Sequence, residues 1–281
     1  MPEKITFGGQ AVIEGVMMRS PSKYAICVRK PDKKIITKVV ETSNKNSFFY
    51  STPFIRGIFK LGETLSIGMN ALFFSAENSS EETEKLTKKD LFITVIAGIA
   101  MTIVIFYLLP LMLARFIASQ KGNLVFNIFD GVIRLLLFVL YIILISFMKD
   151  VQRLFQYHGA EHKVVNCYEA GKKLTVKNAM QFSTLHPRCG TTFILLVFSL
   201  SIIIFTIIPP QSFFMRFVLR IALLPLIAGI SYEMLKFSAQ HFDNILVRVI
   251  IKPGLLLQKI TTREPDDLQI GVAIKALKAV Q

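Results

Sequence analysis

Two histidines and a glutamate fall within about one helical turn in the sequence His158-Gly-Ala-Glu161-His162. On a helix, residues four apart project from the same face with a rise of about 6 Å, so both imidazoles can reach one metal ion. The order H-x-x-E-H is the inverted form of the zincin motif, in which the histidines bind zinc and the glutamate is the general base. A solvated polar helix face is the alternative. We favour metal binding.

A second pair of side chains, His186 and Cys189, has the H-x-x-C spacing of a loop metal clip. We expect this pair to lie near His158 and His162, with Cys189 or His186 as the third ligand. Three protein ligands leave one position for water, whose pKa zinc lowers to about 7. Glu161 would accept the proton, and such a site hydrolyses amides or esters. Four protein ligands would close the shell and make the zinc structural.

Four polar residues outside these motifs are candidate substrate contacts. Gln10, Glu14 and Arg19 lie in a glycine-punctuated segment near the N-terminus, and Glu233 follows the last long apolar run. The first three could fold over the metal as substrate contacts. Glu233 lies on a polar stripe at the predicted bilayer edge, on a helix that is expected to continue past residue 240, and a carboxylate there can also complete a metal shell. A solvated surface role is the alternative for all four.

Long apolar runs predict a membrane protein. The chain is 52% hydrophobic with a mean hydropathy of +0.51, and a run of 24 uncharged residues is long enough to cross a hydrocarbon core of about 30 Å. We predict that Pro110 kinks the first span, that Asp130 pairs with Arg134 four residues later, and that Arg220 snorkels to an interface. The predicted spans are residues 91–114, 124–148, 192–209 and 217–236.

The basic residues predict the orientation. Of the 33 Lys and Arg residues, 28 lie before residue 90, within 149–188 or after residue 233. The positive-inside rule places those segments, and both termini, in the cytoplasm of a multi-pass protein of the cell membrane. The net charge of +14 then indicates attraction to an anionic lipid bilayer, and no nucleic-acid partner is expected. The three Cys residues are expected to be thiols or ligands.

The remaining segments predict a mainly α integral membrane protein with about four transmembrane helices, interfacial helices and a small N-terminal β-hairpin module on the cytoplasmic side. The hairpin is expected over residues 24–41, and residues 54–74 have the period of an interfacial or partly inserted helix, with a core helix of a soluble domain as the alternative. The predicted units are the β module (1–52), the interfacial helix and linker (53–90), spans 1–2 (91–148), the cytoplasmic loop (149–190), spans 3–4 (191–238) and the helical tail (239–281).

Four ordered motifs carry a resemblance to a known family. They are GGQAVIEGVMMR, YHGAEHK, HPRCGT and TTREP. With them the chain resembles a bacterial multi-pass membrane family of unknown function whose members are labelled predicted metal-dependent enzymes. The resemblance covers nearly the whole chain and implies membership of the family. It supplies no reaction.

Three functions are therefore considered. The first is a zinc-dependent hydrolase at the cytoplasmic membrane face, acting on an unknown amide or ester substrate. The second is a non-catalytic membrane scaffold or assembly factor, with a membrane-protein partner and a structural zinc site. A transporter is less favoured, because the predicted spans contain few ionisable residues to form a substrate path.

Overall fold

The N-terminal segment forms an antiparallel sheet in the computed structural model, which describes residues 7–42, 52–79, 88–118, 122–208 and 212–281. Its strands are β1 (Gly8–Val12), β2 (Gly15–Arg19), β3 (Lys23–Arg29) and β4 (Ile35–Glu41), in the order β1-β2-β3-β4. The hairpin predicted over residues 24–41 is confirmed as β3 and β4. Its turn is stabilised where the Lys34 backbone N–H donates to the Asp32 side chain.

The rest of the described chain is helical. The helices are α1 (Ile55–Ser79), α2 (Lys88–Ile103), α3 (Leu109–Ala118), α4 (Asn123–Ile145), α5 (Lys149–Glu169), α6 (Val176–Met180), α7 (Gly190–Ile207), α8 (Phe213–Ala222), α9 (Leu224–Gln240), α10 (Ile245–Thr261) and α11 (Asp267–Val280). The expected helical tail is confirmed as α11. A capping box between Asp266 and Gln269 defines its start.

Both faces of the sheet are covered. Alternating residues of β2 and β3, such as Met18 and Cys27, pack with α5 and α11 around the fully buried Tyr157 and Ile270. The opposite face, which includes Ile26, packs against the C-terminal half of α1. The sheet therefore holds α1 on one side and α5 with α11 on the other.

Helix α1 contacts both the sheet and α9. Near its start, Gly57 lies so close to Gly229 of α9 that a Cβ on Gly57 would come within 2.8 Å of the Gly229 Cα. At the same end Arg56 forms a bidentate ion pair with Glu233. Other apolar side chains of α1, including Leu65, remain exposed. One face of α1 thus packs in the protein core, as in the alternative considered above. The exposed apolar face is of the kind found on interfacial membrane helices.

Among the residues that the structure describes, three helical stretches are long and apolar enough to cross a membrane: Phe92–Ala118, Asn123–Ile145 and Gly190–Ile207. A fourth is formed only by Phe213–Ala222 with Leu224–Ser238, which are bent by 45° at Leu223. The irregularity predicted at Pro110 occurs in the preceding turn as a π-helical stretch, Val104–Leu108. Proline has no N–H to donate to the fourth preceding carbonyl, which accounts for this local widening.

The prediction for Arg220 is wrong. Arg220 is buried and contacts Asp130 across the α4–α8 interface at 3.0 Å. The predicted Asp130–Arg134 pair is present, also at 3.0 Å. The Asp130 carboxylate offsets the cost of burying the Arg220 charge, so the side chain does not need to extend to an interface.

Two further expectations need correction. A single helix was expected to continue past residue 240, but α9 ends at Gln240 and α10 begins at Ile245, where Asn244 caps it by accepting the Leu246 backbone N–H. The N-terminal β module was expected to contain one hairpin, yet it also contains β1 and β2. Glu14 occupies the turn between them with a φ of 53°.

Candidate metal centre

Helix α5 places the H-x-x-E-H motif at the junction of the sheet, α11 and the chain leading into α7. Gly159 lets this helix approach the Arg263 backbone, because a Cβ there would lie 2.1 Å from the Arg263 carbonyl oxygen. The Arg263 backbone N–H in turn donates to the Phe155 carbonyl at 2.9 Å. The helix ends at Glu169, and Gly171 follows in the left-handed region at a φ of 68°.

His158, His162 and Cys189 come together in the folded chain. One potential ligand atom from each lies within 4.8 Å of the others, and this group could hold a metal ion. The His158 Nε2 is 3.2 Å from the Cys189 Sγ. Cys189 is the N-cap residue of α7, so the cluster lies at the start of an apolar helix.

Backbone carbonyls select the histidine nitrogens that face the cluster. The His158 Nδ1 is 2.8 Å from the Thr261 carbonyl oxygen, and the His162 Nδ1 bonds to the Thr184 carbonyl oxygen. A carbonyl only accepts, so each Nδ1 carries the proton and each Nε2 keeps a lone pair for a metal. This is the usual outer support of metal-binding histidines.

His186 lies beside the cluster but outside the group of three. Its Nε2 is 3.4 Å from a Glu169 carboxylate oxygen, and its Nδ1 accepts the Arg188 backbone N–H at 3.3 Å. Its ring centroid is 5.6 Å from that of His162. Of the two candidates for the third ligand, the described residues bring Cys189, and not His186, into the group.

Glu161 contacts the cluster from one side. It is buried, and its Oε2 is 3.4 Å from the His162 Nε2. Strand β1 packs directly on it, since a Cβ on Gly9 would lie 2.9 Å from the Glu161 Cγ. The carboxylate is therefore next to the group that could hold a metal without belonging to it.

Burial controls the charge states around the cluster. Desolvation raises the pKa of Glu161, and the neighbouring His158, His186 and Arg188 oppose that rise. Desolvation lowers the pKa of His162, which favours the neutral imidazole that a metal requires. Burial also lowers the pKa of His186.

Each candidate substrate residue has a partner within the fold. The Gln10 amide donates to the Gly68 carbonyl of α1, Arg19 pairs with Glu63 of α1 at 2.8 Å, and Glu233 pairs with Arg56. Glu14 bonds to Arg153 and Tyr157 of α5. Their use by a substrate stays a prediction.

Sequence reasoning missed Thr184, Thr261 and Gln258 as supports of the site. The Gln258 side chain accepts the His186 N–H and donates to the His186 carbonyl, both at 2.8 Å, and so fixes the loop before Cys189. Thr261 belongs to the TTREP motif, which was a usable signal. Carbonyl acceptors, however, have no residue-type signature in a sequence.

Comparison with known proteins agrees with one part of the resemblance, a family of unknown function. Residues 52–281 match the family described as "Protein of unknown function (DUF1385)". The chain is 34% identical over 287 residues to the uncharacterised protein YqhQ of Bacillus subtilis (strain 168), covering 96% of this chain and 90% of that relative. No solved structure matches this chain. The chain therefore belongs to the DUF1385 family of proteins of unknown function.

Proposed function

We propose that the protein is a zinc-dependent hydrolase at the cytoplasmic face of the cell membrane, acting on an amide or ester bond. The observation that carries the proposal is a set of three potential ligands, the partly buried His158 with the buried His162 and Cys189, beside a carboxylate outside that set. Catalytic zinc sites have three protein ligands and an open position, whereas structural sites have four. Imidazole and thiolate together favour zinc over magnesium or calcium.

Glu161 is the proposed general base. Bound zinc supplies Lewis-acid activation of water and of the substrate carbonyl. Glu161 accepts the proton from the attacking water and later returns it to the leaving group. A raised pKa suits this role, because a base whose pKa lies nearer the working pH can both accept and release a proton. The carboxylate is buried, with β1 packed against one side of it.

The proposed membrane location rests on the outer surface of the helices. Large apolar side chains such as Leu136, Ile203 and Phe116 are exposed on the long apolar helices, as lipid-facing residues are. The sheet, α5 and α11 pack together, so the basic segments near the N-terminus, in the middle and at the C-terminus share one end of the molecule. By the positive-inside rule that end is cytoplasmic.

A structural zinc site is the second candidate, and one observation favours it. Atoms that line or support the cluster come from α5, from the loop holding Thr184 and Cys189, and from Thr261 at the end of α10. A bound ion would thus fasten three separate segments, as a scaffold requires. In that case a fourth ligand closes the shell.

Cobalt substitution distinguishes the two candidates. Co²⁺ replaces zinc and its visible spectrum depends on coordination, so acetohydroxamate added to an open site should change the spectrum at saturable concentrations. The purified full-length protein would be used, with Cys189→Ser to show that the spectrum arises from this cluster. A cobalt spectrum that depends on Cys189 but does not respond to hydroxamate would contradict the hydrolase and support the structural site.

Glu161→Gln tests the general base. We expect the variant to retain its metal and to hydrolyse a p-nitrophenyl ester about 10²–10⁴-fold more slowly than wild type. Asp150→Asn, in the exposed first turn of the same helix, is the matched control and should hydrolyse the ester at the wild-type rate. Equal rates for Glu161→Gln and wild type at equal metal content would contradict the assigned role.

A further inference from the structure

A second polar cluster lies inside the helix bundle, on α4 and α8. Its centre is Asp130, whose Oδ2 lies 3.0 Å from both Arg134 and Arg220. The Asn127 side-chain oxygen accepts from Arg220 at 3.2 Å and from Arg216 at 3.4 Å. Asn127 also donates to the Phe205 carbonyl of α7, which joins the three helices. None of these residues contributes to the metal centre.

The charges of this cluster do not balance. Arg134 and Arg220 are both nearly fully buried, and the single carboxylate of Asp130 serves both. Asp130 is the only acidic residue within α3, α4, α7 and α8, the helices around the cluster. An uncompensated cation inside a bundle costs several kcal/mol, so a second negative charge would stabilise this one.

Arg220 has hydrogen-bond donors to spare. Among the residues that the structure describes, its Nε and Nη1 are buried and have no hydrogen-bond partner, and the same holds for the Arg134 Nε and for two acceptor oxygens, Asn123 Oδ1 and Asp130 Oδ1. Phe205 lies against the Arg220 guanidinium at 5.3 Å, which stabilises a cation but does not neutralise it. Buried guanidinium N–H groups normally find an acceptor.

A small cavity adjoins those donors. It measures about 20 Å³ and is lined by Arg220 and Arg216, by Asn123 and Asn127, and by apolar side chains including Phe205. One water needs roughly 10–15 Å³, so the cavity admits one or two atoms of water or halide size. A phosphate or carboxylate, with several heavy atoms, exceeds that volume.

We propose that this cavity binds one small monovalent anion of the halide class, with Arg220 as its principal ligand. The anion supplies the missing negative charge, accepts the spare N–H groups of Arg220 and fits the cavity volume. Asp130 remains committed to Arg134 and Arg220 through its Oδ2. The bound anion thereby links α8, the first half of the bent pair, to α4.

Chloride-35 NMR line broadening tests the proposal, because chloride exchanging with a large protein acquires excess linewidth. The full-length protein is first stripped of metal by a chelator and carries His158→Ala, so that chloride at the metal centre cannot contribute. We expect saturable broadening that bromide displaces and that gluconate, too large for the cavity, does not. Broadening that bromide fails to displace would overturn the proposal as non-specific binding, and the absence of saturable broadening would overturn it and leave a site for water only.

Two variants assign the broadening to the cluster. Arg220→Gln should weaken chloride binding about tenfold or more, since charged hydrogen bonds are lost. Arg248→Gln, which removes an arginine with 52% side-chain exposure, should leave it unchanged. Asp130→Asn removes the competing carboxylate and should tighten chloride binding. If Arg220→Gln does not fold, unchanged binding in Asp130→Asn overturns the assignment, and tighter binding supports it.

Discussion

The side chain of Glu161 depends on the absence of a side chain at Gly9. A Cβ at Gly9 would lie 2.9 Å from the Glu161 Cγ and 2.6 Å from the Met17 carbonyl oxygen, so β1 can pack on the carboxylate only because residue 9 is glycine. At Gly8, the preceding residue, an added Cβ would have no atom within 4 Å. The two glycines therefore form a matched pair for experiment.

Gly9→Ala should destabilise the fold by about 1–3 kcal/mol, because the new methyl group overlaps both neighbours. It should also slow ester hydrolysis by displacing Glu161, while metal content stays near that of wild type. Denaturant unfolding and the hydrolysis assay measure the two effects. Gly8→Ala is the control, and an equal loss of stability in both variants would show that the close packing on Glu161 is not the cause.

Residue types predicted that a metal-binding cluster would form, but they did not predict which of the four candidate ligands would belong to it. Spacing alone identified His158, His162, His186 and Cys189, and the first two with Cys189 come together. His186 differs because Gln258 holds its backbone while its ring faces Glu169 and the Arg188 N–H. Such contacts join residues far apart in sequence, so no local pattern reveals them.

At the scale of elements, the close approach of α5 to the segment after α10 positions His158. Gly159 contacts the Arg263 backbone, and two residues earlier the Thr261 carbonyl accepts from His158. The TTREP motif therefore acts on the metal centre through backbone groups. An added methyl group at residue 159 would push this segment away from α5.

Gly159→Ala should lower metal affinity about 10–100-fold, the range found when an outer hydrogen bond to a metal ligand is lost. Competition with a chromogenic zinc chelator measures the change. Gly271→Ala is the matched control, since a Cβ there meets no atom within 4 Å and alanine favours a helix. Unchanged affinity in Gly159→Ala would contradict the proposed support of His158 by Thr261.

Elements with strong local signals were predictable. The β3–β4 hairpin, α5 with its glycine cap, α6 capped by Thr175, and the long apolar helices follow from turn chemistry, capping and hydropathy. Strands β1 and β2 were missed because their glycines and apolar run lack a clear period of two. The break between α9 and α10 was missed because the short His241–Asn244 segment contains neither proline nor glycine.

At the scale of the whole molecule, the account requires the sheet and the metal centre to lie on one side of the membrane. The β3–β4 turn and α5 are joined through the same buried layer as α11. Labelling with a membrane-impermeant maleimide tests the orientation at Asp32→Cys, in that exposed turn. Gln211→Cys, between α7 and α8 in the sequence, reports the other side.

We expect Asp32→Cys to be labelled only after the cytoplasmic membrane is opened, and Gln211→Cys to be labelled in intact cells treated to permeabilise any outer membrane. The native thiols of Cys27 and Cys167 are buried, so the background should be low. Labelling of Asp32→Cys in intact cells would reverse the proposed orientation and move the metal centre out of the cytoplasm.

The most direct test of the central claim is the metal content of the purified full-length protein. Elemental analysis should find about one zinc per chain in wild type and a large loss in both His158→Ala and His162→Ala. His241→Ala is the matched control, because this histidine bonds to the Phe237 carbonyl of its own helix and lies outside the cluster. It should retain wild-type zinc. Equal metal in all four proteins, or none in wild type, would contradict a metal centre at His158, His162 and Cys189.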